Sequence, residues 1–351
     1  MKKLPIIEVS GDFRSVGQQI GRACRPQIER ALKALPQYIP SGISWKVTLD
    51  ESAAYLECAR AVYPQYISEL EGIAEGAGVP FEEVFLSVCE ELAEPAAWLG
   101  RGCSDMAARG PATADGSTIV AHTNDLLLES EENLVILKVK AGDEPEFLGI
   151  SPGGIGYSAG FNACGISLTG NHLDQNDIRP GVPRLLVVRA IMASRSMFEA
   201  MTHCLLRERA SSYNNLIADA NGEVYCMEGS ATDCVPLYIQ DHVLAHTNHY
   251  LDPQMRQFQA HPEKIAASIY RYHRARRLLG DHFGKLTPKL FQQLLADHAD
   301  YPTSICRHGP KIYTIFSIIV QPKECAAWIA KGRPCEGEWV QYRLEPEIKH
   351  E

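Results

Sequence analysis

Cys103 is the residue whose setting in the chain most suggests chemistry. It follows Gly102, at the point where a helical pattern gives way to short alternating runs. A thiol placed there can attack the preceding Gly102 carbonyl and form a thioester, which water then resolves. Glycine leaves such a bond unhindered and open to strain. Cleavage frees the α-amino group of Cys103, whose ordinary pKa of about 7.7–8 suits it to act as a base beside its own thiol. The same dipeptide also reads as a linker cysteine next to a flexible glycine. The other cysteines are Cys24, Cys58, Cys89, Cys164, Cys204, Cys226, Cys234, Cys306, Cys325 and Cys335. No CxxC occurs, so neither a zinc ribbon nor a thioredoxin-like motif is indicated, and most read as reduced core residues.

Other patterns supply less. Gly165-Ile166-Ser167-Leu168-Thr169 has threonine where a nucleophile elbow requires its second glycine. The glycines of 154–160 are spaced one residue too long for a dinucleotide loop and precede a strand pattern. His242, His246 and His249 offer three imidazoles to a zinc hydrolase, but no acidic partner lies nearby in sequence, and a polar strand end is the plainer reading. Phosphate-loop and EF-hand patterns do not occur.

The elements that must hold these residues fall into two halves. Apolar residues at three- to five-residue spacing predict a helix over 15–38. A second opens at Thr48, spaced with Glu51 as a capping box, and runs toward Tyr63. Pro64 starts a third that stops at Gly76-Ala77-Gly78, and 80–92 reads as a fourth. A glycine-bearing linker, 94–102, follows. Beyond it, alternation predicts strands at 118–122, 134–139, 146–150, 166–169, 313–320 and 325–329, with a hairpin about Asn221-Gly222. Helical spacing returns at 185–193, 197–205, 263–283 and 288–295. Strands and helices grouped in runs predict an α+β fold with antiparallel sheets.

The 351 residues are 45% hydrophobic and 22% charged, which describes a globular chain with an ample core. Net charge is −9 and no basic run occurs, so nucleic acid is not an expected partner. No window approaches ~18 uninterrupted apolar residues, so no membrane partner is expected. Met1-Lys2-Lys3 opens like a signal peptide, but Glu8 and Gly11-Asp12 end the apolar stretch, and a cytoplasmic location is expected.

Gly102-Cys103, followed by the run from Asp115-Gly116-Ser117 to His122-Thr123-Asn124-Asp125, resembles the start of the catalytic chain in the isopenicillin N acyltransferase family. These are autoproteolytic N-terminal-nucleophile (Ntn) cysteine enzymes, related more distantly to bile salt and penicillin V hydrolases. The segment from Glu69-Leu70-Glu71-Gly72 to Gly76-Ala77-Gly78 is similar to the family's signature in the removed chain. Asn162-Ala163-Cys164-Gly165 through Asn171, then Thr247-Asn248, then Ser304-Ile305-Cys306-Arg307-His308 match in order. The chain departs at His122, where relatives often carry arginine or glutamine.

The resemblance implies a four-layer αββα sandwich with two antiparallel sheets, built from a helical segment 1–102 and a segment 103–351 headed by the nucleophile. It implies Cys103 as nucleophile and base, Asp125 as the group that orients the freed amine, and Asn248 and Asn171 as oxyanion donors. Arg307 would favour the thiolate and steady Asp125. The implied reaction is acyl transfer through a thioester on Cys103, from the amide of a small N-acyl amine. Hydrolysis is favoured over acyl-coenzyme A-dependent transfer because no basic phosphate cradle is visible; a non-catalytic binding relative is a further alternative. No cofactor and no metal are called for. The expected partners are the small amide substrate and the chain's own cleaved segment, with higher homo-oligomers left open.

Overall fold

A computed structural model describes residues 3–93 and 102–347. The linker expected over 94–102 lies outside them apart from Gly102. Two sheets form the centre. One has the order β1 (Ile6–Gly11), β4 (Leu134–Ala141), β5 (Phe147–Pro152), β6 (Ala159–Asn162), β7 (Ser167–Asn171), β8 (Asn214–Ala218), β9 (Val224–Gly229), β10 (Cys234–Tyr238). The other runs β11 (Val243–His246), β2 (Gly102–Gly110), β3 (Gly116–Leu127), β12 (Ile312–Gln321), β13 (Ala326–Lys331), β14 (Trp339–Arg343). Neighbours are antiparallel except β1 and β4, which pair in parallel.

Period-two alternation assigns each strand face to a different layer. In β4, Val135, Leu137 and Val139 pack under helices α1 (Phe13–Ala23), α2 (Arg25–Ala34), α3 (Trp45–Val62), α4 (Pro64–Ala77), α5 (Phe81–Val88), α7 (Arg184–Met192) and α8 (Met197–Cys204). Leu134 and Ile136 of the same strand point the other way, onto Ile318 and Val320 of β12. On the far side Met106, Ala108, Ile119 and Ala121 meet Leu278 and Leu294 of α9 (Ala266–Asp281) and α10 (Pro288–Leu295). A single turn, α6 (Leu128–Glu131), follows β3. The layers are therefore αββα, as the resemblance implies. Among the described residues no helix is long and apolar enough to cross a membrane.

Local details differ from the sequence reading for physical reasons. The helix expected over 15–38 breaks at Cys24, because Pro26 lacks an N–H and begins a new helix. Ser44, not Thr48, caps α3: its hydroxyl accepts from the Val47 N–H at 3.3 Å, while Thr48 sits inside the helix and bonds back to the Ser44 carbonyl. Strand β2, which carries Cys103, has no expected counterpart; Ser104 and Asp105 are buried within it and erase the apolar alternation.

The segment 69–78 has a packing role of its own. A Cβ at Gly72 or Gly76 would collide with the carbonyls of Arg14 and Gln18, and one at Gly17 or Gly21 with those of Glu69 and Ile73. Glycine on both helices lets α1 and α4 touch backbone to backbone. Beside this seam, Arg189 of α7 holds Glu69 at 2.8 Å and Glu144 at 2.9 Å, with its guanidinium 4.5 Å from the Tyr66 ring centroid. Arg189 and Glu69 are buried between helices and sheet, and Glu144 reaches them from the β4–β5 turn, partly exposed. We expect Arg189→Met to lower stability by about 3–5 kcal/mol, because Glu69 stays buried, and Glu144 partly so, without their cation. Denaturant titration checks this; a loss under about 1 kcal/mol would show the acids reach water.

Candidate active site

Strand pairing sets Gly102 opposite Asp125 and Cys103 opposite Asn124. Alternation then sends the Cys103 side chain to the face between the sheets, with Asn124, while Asp125 turns to the opposite face, toward α9. A bulge in β12 between Thr314 and Phe316 serves this arrangement. It leaves both Ile315 and Phe316 on the inter-sheet side, so that Thr314 faces Asp125. The Thr314 hydroxyl donates to Asp125 Oδ1 at 2.7 Å and accepts from the Arg307 N–H at 2.9 Å.

The Gly102–Cys103 bond is surrounded by charge. A Cβ on Gly102 would stand 2.9 Å from Asp125 Oδ2 and 3.3 Å from a guanidinium nitrogen of both Arg271 and Arg307. No other side chain type fits there without displacing the site. Asp125 Oδ2 has no hydrogen-bond partner among the described residues and is fully buried. Burial pushes this carboxyl above its ordinary range, while Arg271, Arg307 and the Thr314 hydroxyl pull it down. The Cys103 N–H donates to Asn248 Oδ1 at 2.9 Å. Asn248 Nδ2 in turn donates to the His172 carbonyl at 3.1 Å.

Arg271 ties these groups together and was not anticipated. One of its nitrogens donates to the Cys103 carbonyl at 2.5 Å and to Ser104 Oγ at 2.9 Å; another donates to Asn248 Oδ1 at 2.8 Å. Three residues earlier on α9, Ser268 accepts from the Asn248 N–H at 2.7 Å. Residues three apart share a helix face, so α9 fixes the strand of Cys103 and the Asn248 loop together. The Cys103 thiol is pushed up to about 12 by burial, then by Asp125 and Asp105; the His172 backbone N–H and Arg271 act in the other direction. Burial thus holds the thiol neutral here.

The remaining candidates lie farther back. Asn171 is buried at the end of β7, where its Oδ1 accepts from Asn214 Nδ2 at 3.0 Å and contacts His246 Nδ1 at 2.8 Å. Its neighbours Gly170 and His172, not Asn171 itself, line the cavity at Cys103. His122 is fully buried with its Nδ1 2.8 Å from Asp105 Oδ1, on the face that leads to Asn124. The three histidines weighed as zinc ligands are not gathered. His246 uses both ring nitrogens, on Asn171 and on Glu228 (2.7 Å), His249 contacts Ser268 Oγ, and His242 sits before β11 in a left-handed turn.

Cys103 opens into a cavity of about 750 Å³ lined by residues of both sheets and of the helices that cover the first. Leu86, Ile155, Tyr157, Leu168, Leu185 and Val188 give it apolar walls. Arg184 lies at its edge, stacked 3.8 Å over the Tyr213 ring and ion-paired with Glu90. The acyl-coenzyme A:6-aminopenicillanic acid acyl-transferase family is matched over residues 112–336, well over half of the sequence. The chain belongs to this family. The matched span holds Asp125, Asn248, Arg271 and Arg307 and begins shortly after Cys103.

Over nearly its whole length the chain is similar to the 40 kDa form of acyl-coenzyme A:6-aminopenicillanic-acid-acyltransferase of Emericella nidulans. The two are 27% identical over 341 residues, covering 93% of this chain and 92% of the relative. The β-alanyl-dopamine/carcinine hydrolase of Drosophila melanogaster is 25% identical over 327 residues, covering 83% and 81%. Among solved structures, a mutant of conjugated bile acid hydrolase from Clostridium perfringens has a TM-score of 0.45 at 10% identity, covering 71% of this chain and 99% of that one. Penicillin V acylase from Agrobacterium tumefaciens has 0.40 at 12%, covering 65% and 83%.

Proposed function

We propose that the protein is an autoproteolytically activated N-terminal cysteine amidohydrolase. The observation that carries this is the convergence of Asp125, Asn248, Arg271 and Arg307 on one peptide bond, Gly102–Cys103, at the mouth of an apolar cavity. The thiol attacks the Gly102 carbonyl, the amide nitrogen of Cys103 leaves with a proton, and water hydrolyses the thioester to give a Gly102 carboxylate. The new amine remains where the Cys103 N–H now lies, between Asn248 Oδ1 and the partnerless Asp125 Oδ2. From there it takes the thiol proton when a substrate amide arrives and returns it to the departing amine. The His172 backbone N–H, beside the sulfur, and the Asn248 amide are the donors offered to the developing oxyanion.

The cavity favours an aliphatic or aromatic acyl group, given its walls. Hydrolysis is preferred to coenzyme A-dependent transfer because the lining cations Arg30, Lys33 and Arg184 are equalled in number by the carboxylates Glu90, Glu129 and Glu132, with Arg184 paired to Glu90. Such a balance does not attract a polyanion. Transfer remains the second reading, supported by the 27% identity to the Emericella nidulans acyltransferase. Intact-mass measurement on the purified protein, followed by a panel of N-acyl amines with and without acyl-coenzyme A, tests both. Two chains, 1–102 and 103–351, with amine release that needs no coenzyme A, is the expected result. Turnover by a preparation containing only the uncleaved chain would overturn self-activation.

A further inference from the structure

Folding gathers four metal-binding side chains that the sequence keeps apart. His298 follows α10, Cys306 and His308 flank Arg307, and Cys335 comes from the connection between β13 and β14. One ligand atom from each lies within 4.8 Å of all the others. Cys306 Sγ is 3.5 Å from Cys335 Sγ, and each sulfur is 3.4 Å from His308 Nε2. His308 Nε2 is 3.1 Å from His298 Nε2. A tetrahedron with Zn–S of about 2.3 Å and Zn–N of about 2.0–2.1 Å has S–S, S–N and N–N edges near ~3.8, ~3.6 and ~3.4 Å. The four measured edges follow the same order and are shorter by only about 0.2–0.3 Å.

We propose that His298, Cys306, His308 and Cys335 bind a structural zinc ion that fixes the loop carrying Arg307. Two thiolates and two imidazoles make a soft, tetrahedral set whose two negative charges neutralise this dication. Four protein ligands leave no position for a reactive water, so the site is structural, not hydrolytic. It is distinct from the His242, His246 and His249 reading, and it departs from the expectation that no metal is called for. That expectation rested on spacing: the ligands span 298–335 with no CxxC, and only the meeting of two loops reveals them. Arg333, 3.4 Å from His308 Nδ1, has its own charge met by Glu336 at 2.7 Å.

The location gives the metal a task. Residues 296–311 connect α10 to β12 without helix or strand, a long irregular passage for a segment that must hold a cation still. The metal would clamp it on both sides of Arg307, whose backbone N–H bonds Thr314 Oγ1, which in turn bonds Asp125. The inference does not depend on the reaction proposed above.

The test is elemental analysis of the full chain, produced without a histidine tag and purified without chelators. One zinc per chain is expected. Replacement by cobalt(II) should give the visible bands of a tetrahedral dithiolate site, a readout independent of activity. Cys335→Ser, at an exposed position, should lose most of the bound zinc and the cobalt spectrum while the protein still melts cooperatively. Wild-type protein that takes up no metal from added zinc sulfate would overturn the proposal. So would a Cys306–Cys335 disulfide in freshly purified protein, or unchanged zinc content in Cys335→Ser.

Discussion

Cys103→Ala should yield one uncleaved, folded chain with no turnover above the uncatalysed rate. The same sulfur is asked to perform two attacks, first on the Gly102 carbonyl and later on the substrate amide, so one substitution removes both. Folding should survive. Cys103 is 7% exposed at a cavity wall, and a methyl in place of a small thiol costs on the order of 1 kcal/mol. The backbone contacts that define the site, to Asn248 and Arg271, involve the Cys103 N–H and carbonyl and are kept. Intact mass, a thermal melt and an amide-release assay on the same preparation decide the matter. Cleavage or turnover in this variant would assign the nucleophile elsewhere, and Ser104 next to it would then need replacing in turn.

The sequence made the layers legible because both periods are strong in it. β4 is apolar over Leu134 to Leu137 and alternates from Lys138 to Ala141, and α10 occupies the 288–295 span expected from Thr287-Pro288. The candidate site was legible in part. The glycine before Cys103 and the Asp125 run can be seen along the chain, and their adjacency follows from strand pairing. Arg271 was not seen, although a signal exists. The buried stripe of α9 is Ser268, Arg271, Ala275, Leu278 and Leu279, so a serine and an arginine occupy core-facing positions. An arginine on an apolar stripe needs a buried anion, and Asp125 is that anion. Asn171 lies off the cavity lining, and the sequence does not show it: a buried asparagine one residue before a cavity-lining residue looks alike in sequence whichever face it takes. Its side chain is spent on His246 and Asn214, partners that only the register of the sheets brings together.

Arg271→Met should lower kcat by about 10²-fold or more with little change in KM, the cost of misplacing a reacting group by roughly an ångström. Methionine refills most of the volume. Three hydrogen bonds disappear, those to the Cys103 carbonyl, to Ser104 and to Asn248 Oδ1, and all of them hold the strand of Cys103 against the Asn248 loop. The pH profile separates this from a general loss of stability. Arg271 is the largest influence holding the Asp125 carboxyl down against its burial. Without that cation the carboxyl's pKa rises, so the ionised form that would hold the Cys103 amine is lost at a higher pH than in the wild type. The acid limb of kcat should therefore move to higher pH in Arg271→Met and return part of the way in Arg271→Lys, which restores the charge but not the forked hydrogen bonds. A variant that melts normally and keeps wild-type kcat and acid limb would remove Arg271 from the site and leave Arg307 as the cation that serves Asp125.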